Sequence, residues 1–320
     1  MPDPAGGTAY LGPPGTFCEQ ALALLPAGLR TGPRPCPTVA DALDAVRTGH
    51  AVRALVPYEN SSEGSVAGTL DDLARPDAAP LVIAREVLLP VRFALLARPG
   101  SRLVDVREVS SIGPAVAQCR AWLRAHLPGV QVTAAASTAE AARRVAAGQP
   151  GSTPDAAIAA PVAAATYGLT VLADDVGDAA APVTRFVLVT RPAPVGAPTG
   201  GDRTTVVLYE RDDHPGALLA MLTELATRGV NLTRLESRPT GQGLGSYCFA
   251  VDLDGSVMEP RIAEALGALH RLCARVTFLG TYPRADGLAS RAGPWAAEED
   301  FAAARGWLAA LQSGKPVAGA

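Results

Sequence analysis

Histidine and cysteine are scarce in this chain, and their placement excludes as much as their number. Four histidines (His50, His126, His214, His270) are spread over 320 residues. None stand four apart, so no dedicated metal site is expected. The five cysteines (Cys18, Cys36, Cys119, Cys248, Cys273) are an odd number with no C-x-x-C pair, which argues against zinc or dithiol chemistry and for reduced thiols. Charge is also thin: 18% of residues are charged, the net charge is -3 and no run of Lys or Arg occurs. Without a basic footprint, nucleic acid is not an expected partner. Residues Met1 to Gly7 lack a basic segment followed by an apolar one, so no export signal is read and a cytoplasmic location is expected. The longest uncharged stretch, Ala156 to Ala173, is interrupted by Pro161, Thr166, Tyr167, Gly168 and Thr170 and reads as buried strand and helix, not as a membrane span.

What is present is a large apolar fraction, 48%, in a chain too long for one small domain. The stretch Arg191 to Arg203 concentrates proline and glycine and reads as a connector. Upstream, short apolar runs (Ala9 to Leu11, Ala54 to Val56, Leu81 to Ala84, Phe93 to Ala97, Ala156 to Ala160, Phe186 to Thr190) alternate with Ala/Leu-rich helical stretches, which predicts an α/β fold with largely parallel sheets. Ser137-Thr-Ala-Glu140 reads as a capping box opening a helix that stops at Gly148. Pro161 opens a short helix that exits through a left-handed Gly168. Downstream, the order strand 204–209, helix 216–228, strands 231–238 and 245–251, helix 260–272, strand 275–280 is a βαββαβ unit. Asp213 is the expected cap of its first helix and Gly229 the stop, with Leu218, Leu219, Leu222 and Leu225 facing the core. The tail from Arg284 holds one amphipathic stretch, with Trp295, Phe301, Trp307, Leu308 and Leu311 available for docking.

Three segments crowd polar residues where an apolar strand ends, the place where open α/β sheets hold ligands. In Gly12-Pro-Pro-Gly-Thr-Phe17, Thr16 can cap a helix whose N–H groups then face an anion; a plain strand-to-helix turn explains it equally well. In Val56-Pro-Tyr-Glu-Asn-Ser-Ser-Glu-Gly-Ser65, the residues Glu59, Asn60, Ser61, Ser62, Glu63, Gly64 and Ser65 suit a small oxygen-rich ligand, or else an Asn/Ser turn capping a helix over 66–74. In Thr184-Arg-Phe186, Arg185 can grip a carboxylate in two-pronged fashion, although such a tripeptide is common by chance.

Together these segments resemble prephenate dehydratase: Tyr10-Leu-Gly-Pro-Pro-Gly-Thr-Phe17, Val56 to Val66 with Thr69-Leu-Asp71, Ala165-Thr-Tyr-Gly-Leu169 and Thr184-Arg-Phe186 stand in that family's order. Behind the connector, Gly216-Ala-Leu-Leu219, Glu236-Ser-Arg-Pro239 and Leu279-Gly-Thr-Tyr-Pro283 resemble the motifs of an ACT regulatory domain. The resemblance implies a catalytic domain over 1–190, built like a periplasmic binding protein from two lobes (about 8–98 with 174–190, and 101–173). It further implies a linker over 191–202, a ferredoxin-like ACT domain over 203–283, and an extension over 284–320.

The reaction implied is conversion of prephenate to phenylpyruvate, carbon dioxide and water, with no cofactor and no metal. Thr184 is then the group at the departing hydroxyl, Arg185 and the helix N-termini after Thr16 and Ser62 hold the carboxylates, and Asn60, Ser61, Glu63 and Phe186 line up the ring, with Glu59, Gly64 and Ser65 nearby. Phenylalanine is the implied effector, bound between paired ACT units by Gly216, Ala217, Leu218, Leu219, Asn231, Leu232, Glu236, Ser237, Arg238 and Pro239, which makes a homodimer or homotetramer the expected assembly.

The chain departs from the family pattern at Ile112-Gly113, where His-Pro is usual, and at Ala181-Pro182, where an Asn is usual. Tyr58 and Cys18, in place of Ile and Ser, read as packing variation. Cys18 is not expected to act as a nucleophile, since no His is near in sequence and the reaction needs no covalent step. Two rival readings stay open: a non-catalytic sensor of amino acids or organic anions on the same two-lobed architecture, and a relative that acts on arogenate or decarboxylates prephenate without aromatising it.

Overall fold

Thr38 and Asp41 show how local sequence starts an element. The Asp41 N–H donates to the threonine hydroxyl at 3.1 Å, the Thr38 N–H donates to the Asp41 carboxylate at 3.1 Å, and Ala42, Leu43 and Val46 then fall on one buried face. Repeated along the chain, this logic builds the fold seen in a computed structural model that describes residues 6–62, 64–148, 153–241 and 246–314. The chain forms two compact units, Met1–Arg75 with Val87–Arg191, and Pro76–Glu86 with Pro192–Ala320.

The first lobe begins with β1 (Thr8–Leu11), α1 (Phe17–Ala23), β2 (Arg34–Cys36), α2 (Val39–Arg47), β3 (Arg53–Asn60), β4 (Gly64–Ser65), α3 (Ala67–Leu73) and β5 (Val82–Pro90). The second lobe is β6 (Ala94–Ala97), β7 (Glu108–Ser111), α4 (Gly113–Gln118), α5 (Arg120–His126), β8 (Gln131–Ala134), α6 (Thr138–Ala147), β9 (Ala156–Ala159), α7 (Val162–Tyr167) and β10 (Thr170–Ala173). The chain then returns to the first lobe as β11 (Val183–Thr190). One sheet runs β2-β1-β3-β11-β5 with β4 on β3, and the other runs β10-β6-β9-β7-β8.

The pairs β1–β2, β1–β3, β7–β8 and β7–β9 are parallel, whereas β3–β11, β3–β4, β6–β9 and β6–β10 are antiparallel. The sheets are therefore mixed, not largely parallel. Alternation of strand and helix signals helical crossovers, but β6 and β11 enter their sheets from the other lobe, without a crossover helix to set their direction. At the two crossings, Val91 N–H donates to the Pro182 carbonyl at 2.7 Å and Val176 N–H to the Phe93 carbonyl at 2.9 Å, so the outgoing and returning segments brace each other. Tyr10, Leu22, Leu55, Phe186 and Leu188 pack one core, and Leu95, Val109, Ala115, Leu123 and Ile158 another.

Element ends follow the sequence with a few differences. Ser137 accepts the Glu140 N–H at 2.9 Å, but the Glu140 carboxylate turns to Arg143 at 2.7 Å and 2.8 Å, so only half of the capping box is present. Gly168 takes the left-handed exit (φ 67°), whereas Gly148 is extended. The helix after the Ser-rich segment starts at Ala67 with β4 in between, so no helix N-terminus follows Ser62 directly.

In the second unit, β12 (Asp202–Tyr209), α8 (Ala217–Ala226), β13 (Leu232–Pro239), β14 (Tyr247–Asp254), α9 (Pro260–Leu272) and β15 (Arg275–Pro283) form an antiparallel sheet in the order β13-β14-β12-β15 with two helices on one face. Gly245, expected to begin β14, lies outside the described residues. Val206, Leu208, Met221, Leu225, Phe249, Val251, Ile262 and Leu269 fill the core. Asp213 does not cap α8: the N-cap is Gly216 at φ 93°, a left-handed turn that carries the chain into the helix without a side-chain cap. Leu219 does not face the core either and is 68% exposed, because Leu218, Met221 and Leu225 already occupy the sheet-facing stripe. A final helix, α10 (Glu298–Gln312), follows Trp295, and its Trp307, Leu308 and Leu311 are exposed.

The buried polar centre of this unit is an ion pair. Glu86 accepts from Arg203 Nη1 at 2.5 Å and from the Ala285 N–H at 2.8 Å, with both side chains nearly out of solvent. Removing one member strands the other charge, which costs about 3–5 kcal/mol. Glu86→Ala is accordingly expected to lower the second unit's unfolding free energy, measured by urea titration, by that much, and a loss below about 1 kcal/mol contradicts it.

Candidate active site

Strand alternation decides which residues of Thr184-Arg-Phe186 meet the space between the lobes. On β11, Thr184 and Phe186 share one face and Arg185 takes the other. Thr184 pairs across the ladder with Asn60, and Asn60 Nδ2 donates to Thr184 Oγ1 at 2.8 Å. The amide orientation is set by its other end, since the Ser62 N–H donates to Asn60 Oδ1 at 2.8 Å. Ser61 locks the same turn to β11: its N–H donates to the Val183 carbonyl at 2.9 Å, and the Val183 N–H donates to Ser61 Oγ at 3.0 Å.

Thr184, Asn60 and Phe186 open onto a cavity of about 340 Å³, a size suited to a small metabolite. The first lobe contributes Thr16, Phe17 and Cys18 from the start of α1, and the second contributes Ile112, Gln118, Ser137 and Thr138 from the starts of α4 and α6 and the end of α4. Phe17 stacks edge-on to Phe93 with ring centroids 5.4 Å apart, forming an apolar wall. Thr16 caps α1 by accepting the Glu19 N–H at 3.4 Å while donating to the Leu11 carbonyl at 3.1 Å. A neighbouring recess of about 270 Å³ is bordered by Ser62, Gln118 and the returning crossing with Ala181 and Pro182.

Of the residues singled out in the sequence, Thr184, Asn60, Phe186 and Thr16 therefore meet at the cavity, and Ser62 borders the recess. Arg185 does not line the cavity. It is 4% exposed, lies 3.2 Å from the Glu59 carboxylate and places its guanidinium 4.7 Å from the centre of the Tyr58 ring. Gly64 and Ser65 form the short strand β4 against Glu59 and Asn60. Glu63 lies outside the described residues. Tyr58, read as packing variation, supplies the aromatic face on which Arg185 rests.

Sequence reasoning missed Ser137, Thr138, Phe93 and Gln118 as lining residues. Ser137 carried a signal, a helix cap right after a short strand, but only as a helix start. Gln118 ends α4, and Ile112 is the N-cap of that helix, where the chain departs from His-Pro.

No carboxylate, imidazole, ammonium or guanidinium stands among the described lining residues. Among the described lining residues the ionisable side chain is Cys18, whose thiol donates to the Leu55 carbonyl at 3.2 Å and is pushed up to about 12 by burial. It keeps its proton until the pH nears that value.

The effector segment is divided between two faces. Register pairs Ser237 with core-facing Phe249, whereas Glu236 and Arg238 lie opposite Ala250 and Cys248 on the helix-free face. There Glu236 bonds Arg234 and lies 3.9 Å from Arg238. Gly216, buried Ala217, half-buried Leu218 and exposed Leu219 form the start of α8, and exposed Asn231 and half-buried Leu232 lead into β13, which ends at Pro239.

A family model described as prephenate dehydratase matches residues 8–194, and one described as ACT domain matches residues 205–271. A prephenate dehydratase from Amycolatopsis methanolica is 49% identical over 309 residues, covering 96% of this chain and 98% of its own length. Among solved structures, a prephenate dehydratase from Arthrobacter aurescens in complex with L-Phe matches with a TM-score of 0.89 at 45% identity, over 96% of this chain and 99% of that one. Another, GqqA, described as a novel type of quorum quenching acylase, matches with a TM-score of 0.76 at 33% identity, over 90% and 98%.

Burial makes a chemical prediction for the cavity thiol. With its pKa near 12, Cys18 is almost wholly protonated at pH 8, so peptide mapping after brief treatment of the native protein with a thiol reagent should find it unmodified, and labelling at the rate of a free thiol contradicts that.

Proposed function

The chain belongs to the prephenate dehydratase family, and from that premise we propose that Thr184, oriented by Asn60, is the group at which the ring hydroxyl of prephenate departs. The reaction is decarboxylation and dehydration of prephenate to phenylpyruvate. The C–C bond to the ring carboxylate breaks, its electron pair enters the ring, and the C–O bond at the far carbon breaks. Carbon dioxide and hydroxide leave, and one proton from solvent turns hydroxide into water. Aromatisation supplies the driving force, so the protein's task is to align the dianion and stabilise the departing oxygen.

The observation that carries this reading is the 2.8 Å bond from Asn60 Nδ2 to Thr184 Oγ1 at the cavity wall. Because the threonine oxygen accepts from the amide, its own O–H is left to donate toward the cavity, and accepting a bond polarises that O–H. A hydroxyl is a weak acid, so the step is hydrogen-bond stabilisation of the leaving oxygen rather than complete transfer to it. Since no cation stands among the described lining residues, the carboxylates fall to neutral donors: the first N–H groups of the ten-residue helix α6 beside Ser137 and Thr138, and the Gln118 amide. Phe17, Phe93 and Phe186 bracket the ring.

An acylase reading, suggested by the relative at 33% identity, asks for a nucleophile activated by a neighbouring base. The lining residues offer hydroxyls and a protonated thiol without such a base, which favours the lyase reading.

Phenylalanine as effector belongs to the same proposal, with Gly216 to Leu219, Asn231 to Leu232 and Ser237 of one ACT unit meeting a second copy. Exposed Leu219 and Leu235 and the free edge strand β13 support such pairing in a homodimer or homotetramer. Glu236 and Arg238 support the pocket from the opposite face. A cytosolic setting is part of the proposal, supported by five free cysteines.

Thr184→Ala is expected to lower kcat by about 100- to 1,000-fold, the cost of one donor to a developing anion, while Thr184→Ser keeps most of the rate. Phenylpyruvate formation from prephenate measures both, and an alanine variant within twofold of the parent sinks the assignment. Gly216→Val, at a left-handed position, is expected to raise the phenylalanine concentration for half-inhibition by about tenfold or more with uninhibited kcat retained. Unchanged inhibition means the effector site lies elsewhere.

A further inference from the structure

Resting on the cavity assignment above, we propose that Tyr167 is a positioning residue for the reaction: its hydroxyl ties the loop before α1 to the α6–α7 pair and so sets the spacing between two facing walls of the cavity. The phenol donates to the Pro14 carbonyl at 2.6 Å, joining residues 153 positions apart. Beneath this bond the loop packs closely against the ring. Gly15 has φ +84°, and a Cβ there would stand 2.8 Å from Tyr167 Cε2 and 3.3 Å from Ala163 Cβ, so only glycine allows this approach.

The loop is stiffened from its own side as well. The Gly15 N–H donates to Glu19 Oε2 at 2.6 Å, and the Tyr10 hydroxyl donates to Glu19 Oε1 at 3.3 Å. A displacement at Pro14 is thereby passed directly to Thr16, Phe17 and Cys18, which line the cavity. On the other side, Ala163 and Tyr167 pack with Ala141, Ala142 and Val145 of α6, and the first turn of that helix presents Ser137 and Thr138 to the same cavity. Tyr167 itself is not a lining residue; it acts through the backbone of one wall and the helix of the other.

Tyr167→Phe removes the donor and keeps the ring. The KM for prephenate is expected to rise about three- to tenfold, the worth of one neutral hydrogen bond, with kcat within twofold, because wall spacing governs how well the substrate is held more than the donor at the leaving oxygen. Without any substrate, amide exchange at Gly15, Thr16 and Phe17 should quicken while the thermal midpoint stays put. Gly15→Ala, which wedges the same contact, should move KM in the same direction, and the double variant should fall short of the product of the two singles. Unchanged KM and unchanged exchange in Tyr167→Phe overturn the proposal, and so does a lowered midpoint with KM unchanged, which marks a merely structural contact. A parent protein that fails to turn over prephenate defeats the functional reading instead, and the substrate-free exchange measurement still judges the bridge.

Discussion

The cross-strand pairing of Thr184 with Asn60 is the constraint on which the site depends. Side chains alternate along a strand, so a slip of one residue between β11 and β3 would exchange Thr184 for Arg185 at the cavity. The register is held where it matters most, at the turn after β3, by the paired bonds between Ser61 and Val183. A bulge then lets Asn60 and Pro57, three positions apart, share the cavity face and leaves Tyr58 with Arg185 on the other.

That hidden face explains why a guanidinium adjoins the cavity without entering it. Arg185 is almost fully buried, and a buried charge is tolerable only when paired; the Glu59 carboxylate and the Tyr58 ring supply the partners. Breaking this layer would free the ends of β3 and β11 to shift, and the Thr184–Asn60 pair with them. The residue that reads as a ligand clamp in one dimension is packed, in three, behind the Thr184–Asn60 pair at the cavity wall. Glu59, one position before Asn60, has the same character.

Much of the fold could be read from local chemistry. Gly168, Ser137 and the Pro/Gly-rich run after Arg191 punctuate the chain as glycine, serine and proline do anywhere, and the βαββαβ order emerged from hydrophobic period alone. What escaped was whatever depends on partners distant in sequence. Strand direction in β6 and β11 comes from the path between lobes, not from their composition. Residues 76–86 group with the second unit, where Glu86 bonds Arg203, 117 positions away, and neither residue announces the other. In the site, Thr184 and Asn60 were legible because each sits in a dense motif. Ser137, Thr138 and Phe93 belong to segments whose local roles, capping and packing, fully account for their types, and only the folded lobes bring them to the cavity.

The absence of cations among the lining residues bears on how the reaction gains its rate. Binding that is equal in substrate and transition state lowers KM without raising kcat. As prephenate reacts, one carboxylate loses its charge on the way to carbon dioxide while negative charge builds on the leaving oxygen. A guanidinium clamped on the departing carboxylate would therefore stabilise the starting dianion more than the transition state. On the proposed assignment, helix N–H groups would hold that carboxylate with less commitment, and a donor aimed at the other end of the ring would gain strength as the C–O bond breaks. On that assignment, a neutral wall toward the carboxylates and a polarised Thr184 hydroxyl toward the leaving group would work in the same direction, which would give a physical reason for Arg185 to stay behind the sheet.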